Sequence, residues 1–278
     1  MKTIKMMMGS MLLLCLILIS SCDPSHPCRT CRIDKVYWED EWHKAYYSSS
    51  GRLVKLEAEG SKILFQYNGS DQLISAEIYT GDPAPEYSFD FTHGPFGIVE
   101  SDVYDSYGFR RHFDFHYASP TVVDYLVESE YGGGAGDPPT FVIQKDLTYG
   151  SGNVTFVSGT VNGNPFTGYT GSAYDKKTNP FKLLAHAVGN PVFFPVCNIV
   201  SYPVMRYDIS FLNLFSKNNP GKGIYEVPVG GGPEVQQPQD FTYVYTSSYV
   251  ESLVWNDDLA GTNKYAFSYN CGFSSAED

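Results

Sequence analysis

His112, Asp114 and His116 stand two residues apart within the alternating run Arg111–Tyr117. If that run is a strand, all three share one face, opposite Phe113, Phe115 and Tyr117. Two imidazoles and a carboxylate are metal ligands by type. Residues two apart on a strand lie about 7 Å apart, however, and need further help to converge on one ion. The plainer reading is the polar face of a strand whose aromatic face is core, with no metal and no cofactor. Trp38-Glu39-Asp40-Glu41-Trp42-His43 mixes aromatics with acids. Such mixtures suit sugar binding, where rings stack and carboxylates accept hydrogen bonds from hydroxyls. Trp38 and Trp42 are the candidate glycan-binding residues, set against a strand pair that turns both inward as core.

Cys28 and Cys31 form a C-x-x-C. Zinc would need a second such pair or a paired histidine motif, and neither is present. A redox pair opens a helix after a strand, whereas this one sits among prolines. Disulfides are the expected use of Cys28, Cys31, Cys197 and Cys271, with the connectivity left open.

A fifth cysteine, Cys22, follows a basic start (Lys2, Lys5), the almost wholly apolar segment Met6–Ile19, and the small pair Ser20-Ser21. The apolar run is shorter than the roughly 20 residues of a spanning helix and fits an export signal. Small-small-Cys at its end resembles the lipobox of bacterial lipoproteins, with Ile19 where Leu is commoner. The resemblance implies that residues 1–21 are removed and Cys22 is lipidated, palmitate among its chains, which tethers the protein to a membrane; several acyl chains anchor where one holds only marginally. Removing residues 1–21 takes away two lysines and no acid, so the formal charge falls from −12 to −14. That charge argues against nucleic acid and against adsorption to anionic lipid.

These groups must be positioned by β structure. Charged residues are few, and Tyr, Phe, Gly, Thr and Ser are many. Residues 22–35 read as a lipidated tether with two prolines and no apolar periodicity, and the domain as 36–278. Strand-like runs separated by Gly, Pro, Asn, Asp and Ser fill that domain, from Ala45–Ser48 and Arg52–Leu56 through Lys62–Tyr67 and Gln72–Tyr79 to Tyr249–Trp255 and Lys264–Tyr269. Only Phe181–Ala187 and Tyr207–Phe215 look helical. Ala45–Leu53 aligns with Phe65–Leu73, and the pattern returns loosely at Phe89–Thr92 and Phe115–Ala118. Each unit is aromatic-x-aromatic, a small polar residue, a turn, then an aliphatic. Physically this is a hairpin, with alternate aromatics and the returning aliphatic on one face. Open edges force such units side by side. The expected fold is all-β: an antiparallel meander of hairpins forming a curved, barrel-like or half-open sheet with one or two short helices.

Ser48-Ser49-Ser50-Gly51-Arg52-Leu53 resembles the YD, or Rhs-like, repeat of bacterial surface proteins, with Ser48 where Asp is usual. Tyr174–Phe181, Ser216–Pro220 and Phe267–Cys271 resemble hallmarks of an uncharacterised family of Gram-negative lipoproteins with degenerate repeats of this kind. The resemblance implies a porin-like antiparallel β fold and an outer-membrane address, and brings no catalytic or binding site. Bottom-up, the Asn-Pro pairs in two of these motifs are structural, with Pro180 opening the helix.

No nucleophile elbow, phosphate loop or dinucleotide fingerprint is present. The expected role is a non-enzymatic envelope lipoprotein that is structural or binds an envelope protein. A glycan-binding accessory role is the alternative, and a glycoside hydrolase comes third.

Overall fold

The computed structural model describes residues 31–38, 41–120, 122–132, 137–193, 215–227, 235–247, 249–257 and 261–270. Contacts divide the chain into two compact units. One, Ile33–Ser268, holds the sheet. The other, Met1–Arg32 with Tyr269–Asp278, falls almost wholly outside the described residues.

The strands come as hairpins. The first four strands are β1 (Arg32–Trp38), β2 (Glu41–Tyr47), β3 (Leu53–Glu57) and β4 (Ser61–Tyr67). Next are β5 (Leu73–Thr80), β6 (Tyr87–Gly94), β7 (Gly97–Asp105) and β8 (Arg110–Ser119). Then follow β9 (Val122–Tyr131), β10 (Phe141–Gly150), β11 (Asn153–Val161) and β12 (Asn164–Ser172). After the helix α1 (Pro180–Val188) come β13 (Lys222–Val227), β14 (Val235–Thr246), β15 (Tyr249–Asp257) and β16 (Gly261–Asn270). Each strand neighbours the next in sequence, and β16 returns to β1, so the sheet closes into a sixteen-stranded barrel. Closure removes both free edges. The barrel-like expectation is therefore met in its closed form rather than its half-open one.

The first strand begins at Arg32, four residues before Val36, where the tether reading ended. Arg32, Asp34 and Lys35 disguise it, because only Ile33 among the first four residues is apolar, and it is buried. Cys31, just ahead of it, is disulfide-bonded. Cys22, Cys28, Cys197 and Cys271 lie outside the described residues, as do Tyr207–Leu214 of the second expected helix.

One device recurs around one rim. At six hairpins an inward residue ending one strand faces an inward aliphatic starting the next. The pairs are Tyr47↔Leu53, Tyr67↔Leu73, His93↔Ile98, Tyr117↔Val123, Tyr149↔Val154 and Tyr245↔Val250. One residue after each aliphatic the register slips, which is a β-bulge. A bulge disrupts the ladder and leaves backbone groups to be met otherwise. The carbonyl beside the bulge is met by the next hairpin's aromatic. Tyr67 donates to Leu53 (2.6 Å), Tyr117 to Ile98 (2.8 Å) and Tyr149 to Val123 (2.8 Å). Tyr47 does the same to Ile33 at 2.6 Å, and Tyr174 donates to Val154. His93 Nε2 takes the place of the hydroxyl against Leu73 O at 2.7 Å. Five of the six hairpins are thus latched to a neighbour, while the Tyr245 hydroxyl donates to Asp175 instead. The aromatic and aliphatic stand six residues apart in three of the hairpins and five apart in the others, which is why the repeat drifts in the sequence.

The turns follow from local chemistry. In Tyr67-Asn68-Gly69-Ser70-Asp71-Gln72, the Asn68 side chain accepts from the backbone N–H of Ser70 (2.9 Å) and Gln72 (3.1 Å). Asp71 takes the left-handed conformation, φ 58°, which Asp tolerates better than most residues. Ser48 Oγ accepts from Arg52 N–H at 3.1 Å in the corresponding place.

The latch has a pH signature. Burial raises the Tyr117 phenol from 10.0 to about 12. A folded pKa above the unfolded one adds stability that is complete below about pH 10 and lost as the pH rises through the folded value. Tyr117→Phe should cost about 1–3 kcal/mol, the penalty for leaving a buried acceptor unmet. Urea titrations at neutral pH should show that loss, and the gap from wild type should narrow above pH 10. A gap that stays constant into the alkaline range would refute the latch.

Candidate functional site

The two faces of the barrel wall have opposite characters. Inward positions carry Leu53, Leu56, Ile63, Phe65, Phe89, Phe113, Leu126, Ile143 and Val157, each no more than 5% exposed. Outward positions at mid-strand carry Lys44, Lys55, Glu77, Asp90, Asp102 and Asp114, all half-buried or exposed. One outer row runs Ser75↔Asp90↔Asp102↔His112↔Ser129 across five strands. Lysines lie over outward tyrosines, as Lys55 over Tyr46 and Lys62 over Tyr79, each 4.3 Å from the ring centroid.

His112, Asp114 and His116 belong to this outer face, opposite the buried Phe113, Phe115 and Tyr117. Their ring nitrogens meet carboxylates: His112 with Asp102 (3.0 Å) and Asp114 (3.3 Å), His116 with Asp124 (2.6 Å). The two histidines keep separate principal partners and do not converge. Among the described residues no group of three or more His, Cys, Asp or Glu is arranged to hold a metal ion.

The lumen is occupied. The connection from β12 to β13 carries α1 and packs against inward strand residues. Asn179 caps α1, its side chain accepting from Phe181 N–H at 3.0 Å, and Pro180 fills the first position. Gly189, at φ 74°, ends it, with Asn190 N–H reaching Ala185 O at 2.8 Å. Phe181 stands edge-on to Phe267 of β16 at 5.7 Å. Past the helix, Phe193 reaches the inward rings Phe65, Phe89 and Phe91 at 5.0, 5.6 and 6.1 Å. Tyr174–Phe181 and Ser216–Pro220, separate in sequence, form one knot. Asp175 accepts from Asn219 Nδ2 at 3.1 Å and from the Tyr245 hydroxyl. Asn179 Nδ2 donates to Ser216 O at 3.1 Å, and Ser216 Oγ accepts from Val154 N–H at 2.9 Å. The Asn-Pro motifs are structural, as their chemistry implied.

Four charges also face inward on β8–β10: Arg111, Glu128, Glu130 and Lys145, none more than 9% exposed. Arg111 Nε pairs with Glu130 Oε1 at 3.2 Å. Two bases and two acids keep this part of the lumen neutral.

At the end opposite the latched rim, the inward faces of β1, β2, β4, β5 and β6 leave a cup of 120 Å³. Trp38 and Tyr87 form aromatic walls, and Ile63 and Ile78 contribute an apolar lining. His43 Nε2 lies 2.7 Å from Ser61 Oγ, which also meets Glu41 Oε2 at 3.3 Å. Thr80 hydrogen-bonds Glu86 at the edge. Burial pushes the His43 pKa down, against the raising influence of Glu41, so the imidazole is neutral at pH 7. Backbone hydrogen bonds with Glu41 and Val36 also reach the His43 ring. The buried Trp38 Nε1 has no hydrogen-bond partner among the described residues. A Ser–His pair invites comparison with a nucleophile and its base. Here the acid contacts the serine, and among the described residues no carboxylate orients Nδ1, so these residues do not assemble the relay of a triad.

Trp38 and Trp42 do not form a strip. Trp38 pairs with Glu41 and faces the lumen, whereas Trp42 pairs with Tyr37 on the outer face. Trp42 is 47% exposed and packs edge-on against Tyr37 at 5.5 Å. The barrel wall stands between the two tryptophans. His43–Ser61 was not legible as a pair, because it depends on the registers of β2, β3 and β4.

No family model and no curated protein matches the chain. Solved structures do. A porin-like protein from Bacteroides vulgatus superposes with a TM-score of 0.54 at 13% identity, over 86% of this chain and 99% of that one. A porin-like protein from Bacteroides uniformis gives 0.51 at 13% identity, over 89% and 99%. The barrel fold is shared.

Proposed function

We propose that this protein is a lipid-tethered envelope protein whose barrel stands in water beside the membrane and serves as a binding or structural scaffold, not as a pore. The single observation that carries this reading is the inverted wall. A membrane-spanning barrel is apolar outside, with a band about 25 Å tall, and polar within. Here Lys44, Lys55, Asp90 and Asp114 face outward at mid-strand, and the lumen is packed with aliphatic and aromatic side chains. A Lys or Arg on the lipid face costs about 2–4 kcal/mol at the bilayer midplane, and acids cost somewhat less. Strand length is mixed: β1 to β6 and β13 have 5 to 8 residues, short of the about 9–11 that a spanning strand needs, and the other nine have 9 to 12.

Cys22 supplies the attachment that such a wall does not, in the manner of an outer-membrane lipoprotein. The degenerate YD-like pattern has a physical role in this reading, since its aromatic and aliphatic positions are the two sides of each rim latch. Cys22→Ala should release the protein from the membrane fraction, and the purified native protein should add no conductance to a planar bilayer. Stable, protein-dependent channels would overturn the proposal.

A further inference from the structure

We propose that the cup at the open mouth binds a neutral sugar ring, presented by the end of a glycan. Mouths of β-barrels are recurrent ligand sites, concave and mostly apolar with a few placed polar groups. The cup is concave, with polar and apolar lining in about equal parts. Its 120 Å³ holds about four waters at about 30 Å³ each, the scale of one small ring. Trp38 and Tyr87 offer aromatic surface to the C–H face of a sugar. Glu86 and Thr80 at the edge can accept hydrogen bonds from hydroxyls.

The unmet donor is the second, independent observation. Trp38 Nε1 is a donor with no other chemistry, and it is buried in the cup wall without an acceptor among the described residues. Leaving a buried donor unmet costs about 1–3 kcal/mol, which a ligand oxygen would restore. His43, 3% exposed, lies beside it, its ring held by Ser61 and by backbone hydrogen bonds with Glu41 and Val36. A hydroxyl oxygen accepts, so it suits the Trp38 donor.

The site differs from the tryptophan pair read in the sequence. Trp38 belongs to it, and Trp42, across the wall, does not. It also stands apart from the proposal of a non-conducting barrel, which depends on the outer wall and the filled lumen.

The test uses the full-length protein and four methyl glycosides: glucopyranoside, mannopyranoside, galactopyranoside and N-acetylglucosaminide. Saturation-transfer NMR should show at least one of them binding. For that ligand, Trp38→Phe keeps a ring but removes the donor and should weaken affinity about tenfold. Glu86→Gln, half-buried at the edge and close in shape to the native side chain, should also weaken it. Trp42→Phe should leave it unchanged. Absence of binding by all four glycosides would overturn the proposal. So would binding that is lost in Trp42→Phe and kept in both Trp38→Phe and Glu86→Gln.

Discussion

Replacing Arg111 by methionine should destabilise the fold by about 3–5 kcal/mol, the cost of leaving one member of a buried pair without its partner. Arg111 and Glu130 are directly opposite each other across β8 and β9, and both face inward. Without Arg111, the lumen of β8–β10 would hold Glu128 and Glu130 against Lys145 alone. The double variant Arg111→Met, Glu130→Leu removes both charges and restores the balance. Replacing a whole buried pair by apolar residues of similar size is often neutral or stabilising, so the double variant should lie close to wild type. Urea unfolding of the three proteins measures this. The result also probes what fills the lumen. In a water-filled lumen, as in a porin, the single variant would cost no more than a surface pair does, about 0–1 kcal/mol.

Phe193→Ala should cost about 3–5 kcal/mol, the range for emptying a buried phenylalanine site. Phe193 is fully buried, and its ring neighbours Phe65, Phe89 and Phe91 come from two separate regions of the wall, β4 and β6. Those rings are held by the sheet and cannot collapse into the gap, which places the cost toward the upper part of the range. Phe193→Leu, which fills much of the space, should recover part of it. A loss under about 1 kcal/mol would mean that the connection between β12 and β13 is not seated in the lumen.

The parts of this architecture visible in the sequence were those with a two-residue period. His112, Asp114 and His116 fall outside and Phe113, Phe115 and Tyr117 inside because strand alternation allows little else. The hairpin repeat was visible for the same reason, and Pro180 marked its helix because the capping chemistry is local. Closure was not visible. It depends on β1 and β16 meeting after fourteen intervening strands, and β1 itself hides one buried isoleucine among charges. The opposite facing of Trp38 and Trp42 follows from the pairing of Trp38 with Glu41, a register the spacing alone does not reveal. The cup was hidden for a related reason: it joins His43 to Ser61 and Trp38 to Tyr87 across several strands. The Asn-Pro motifs read as ordinary turns. Their joint knot, and with it the return of the chain into the lumen, exists only in three dimensions.

The central claim is that water, not lipid, surrounds the barrel wall. Asp90 lies in the middle of β6, outward and exposed. A spin label on Asp90→Cys, in the lipidated protein on its native membrane, reports which solvent it meets through its relative accessibility to oxygen and to a water-soluble nickel chelate. The account predicts a label readily reached by the nickel chelate and little enriched in oxygen, as for a site in water. A label shielded from nickel and rich in oxygen would place β6 in the hydrocarbon and contradict it.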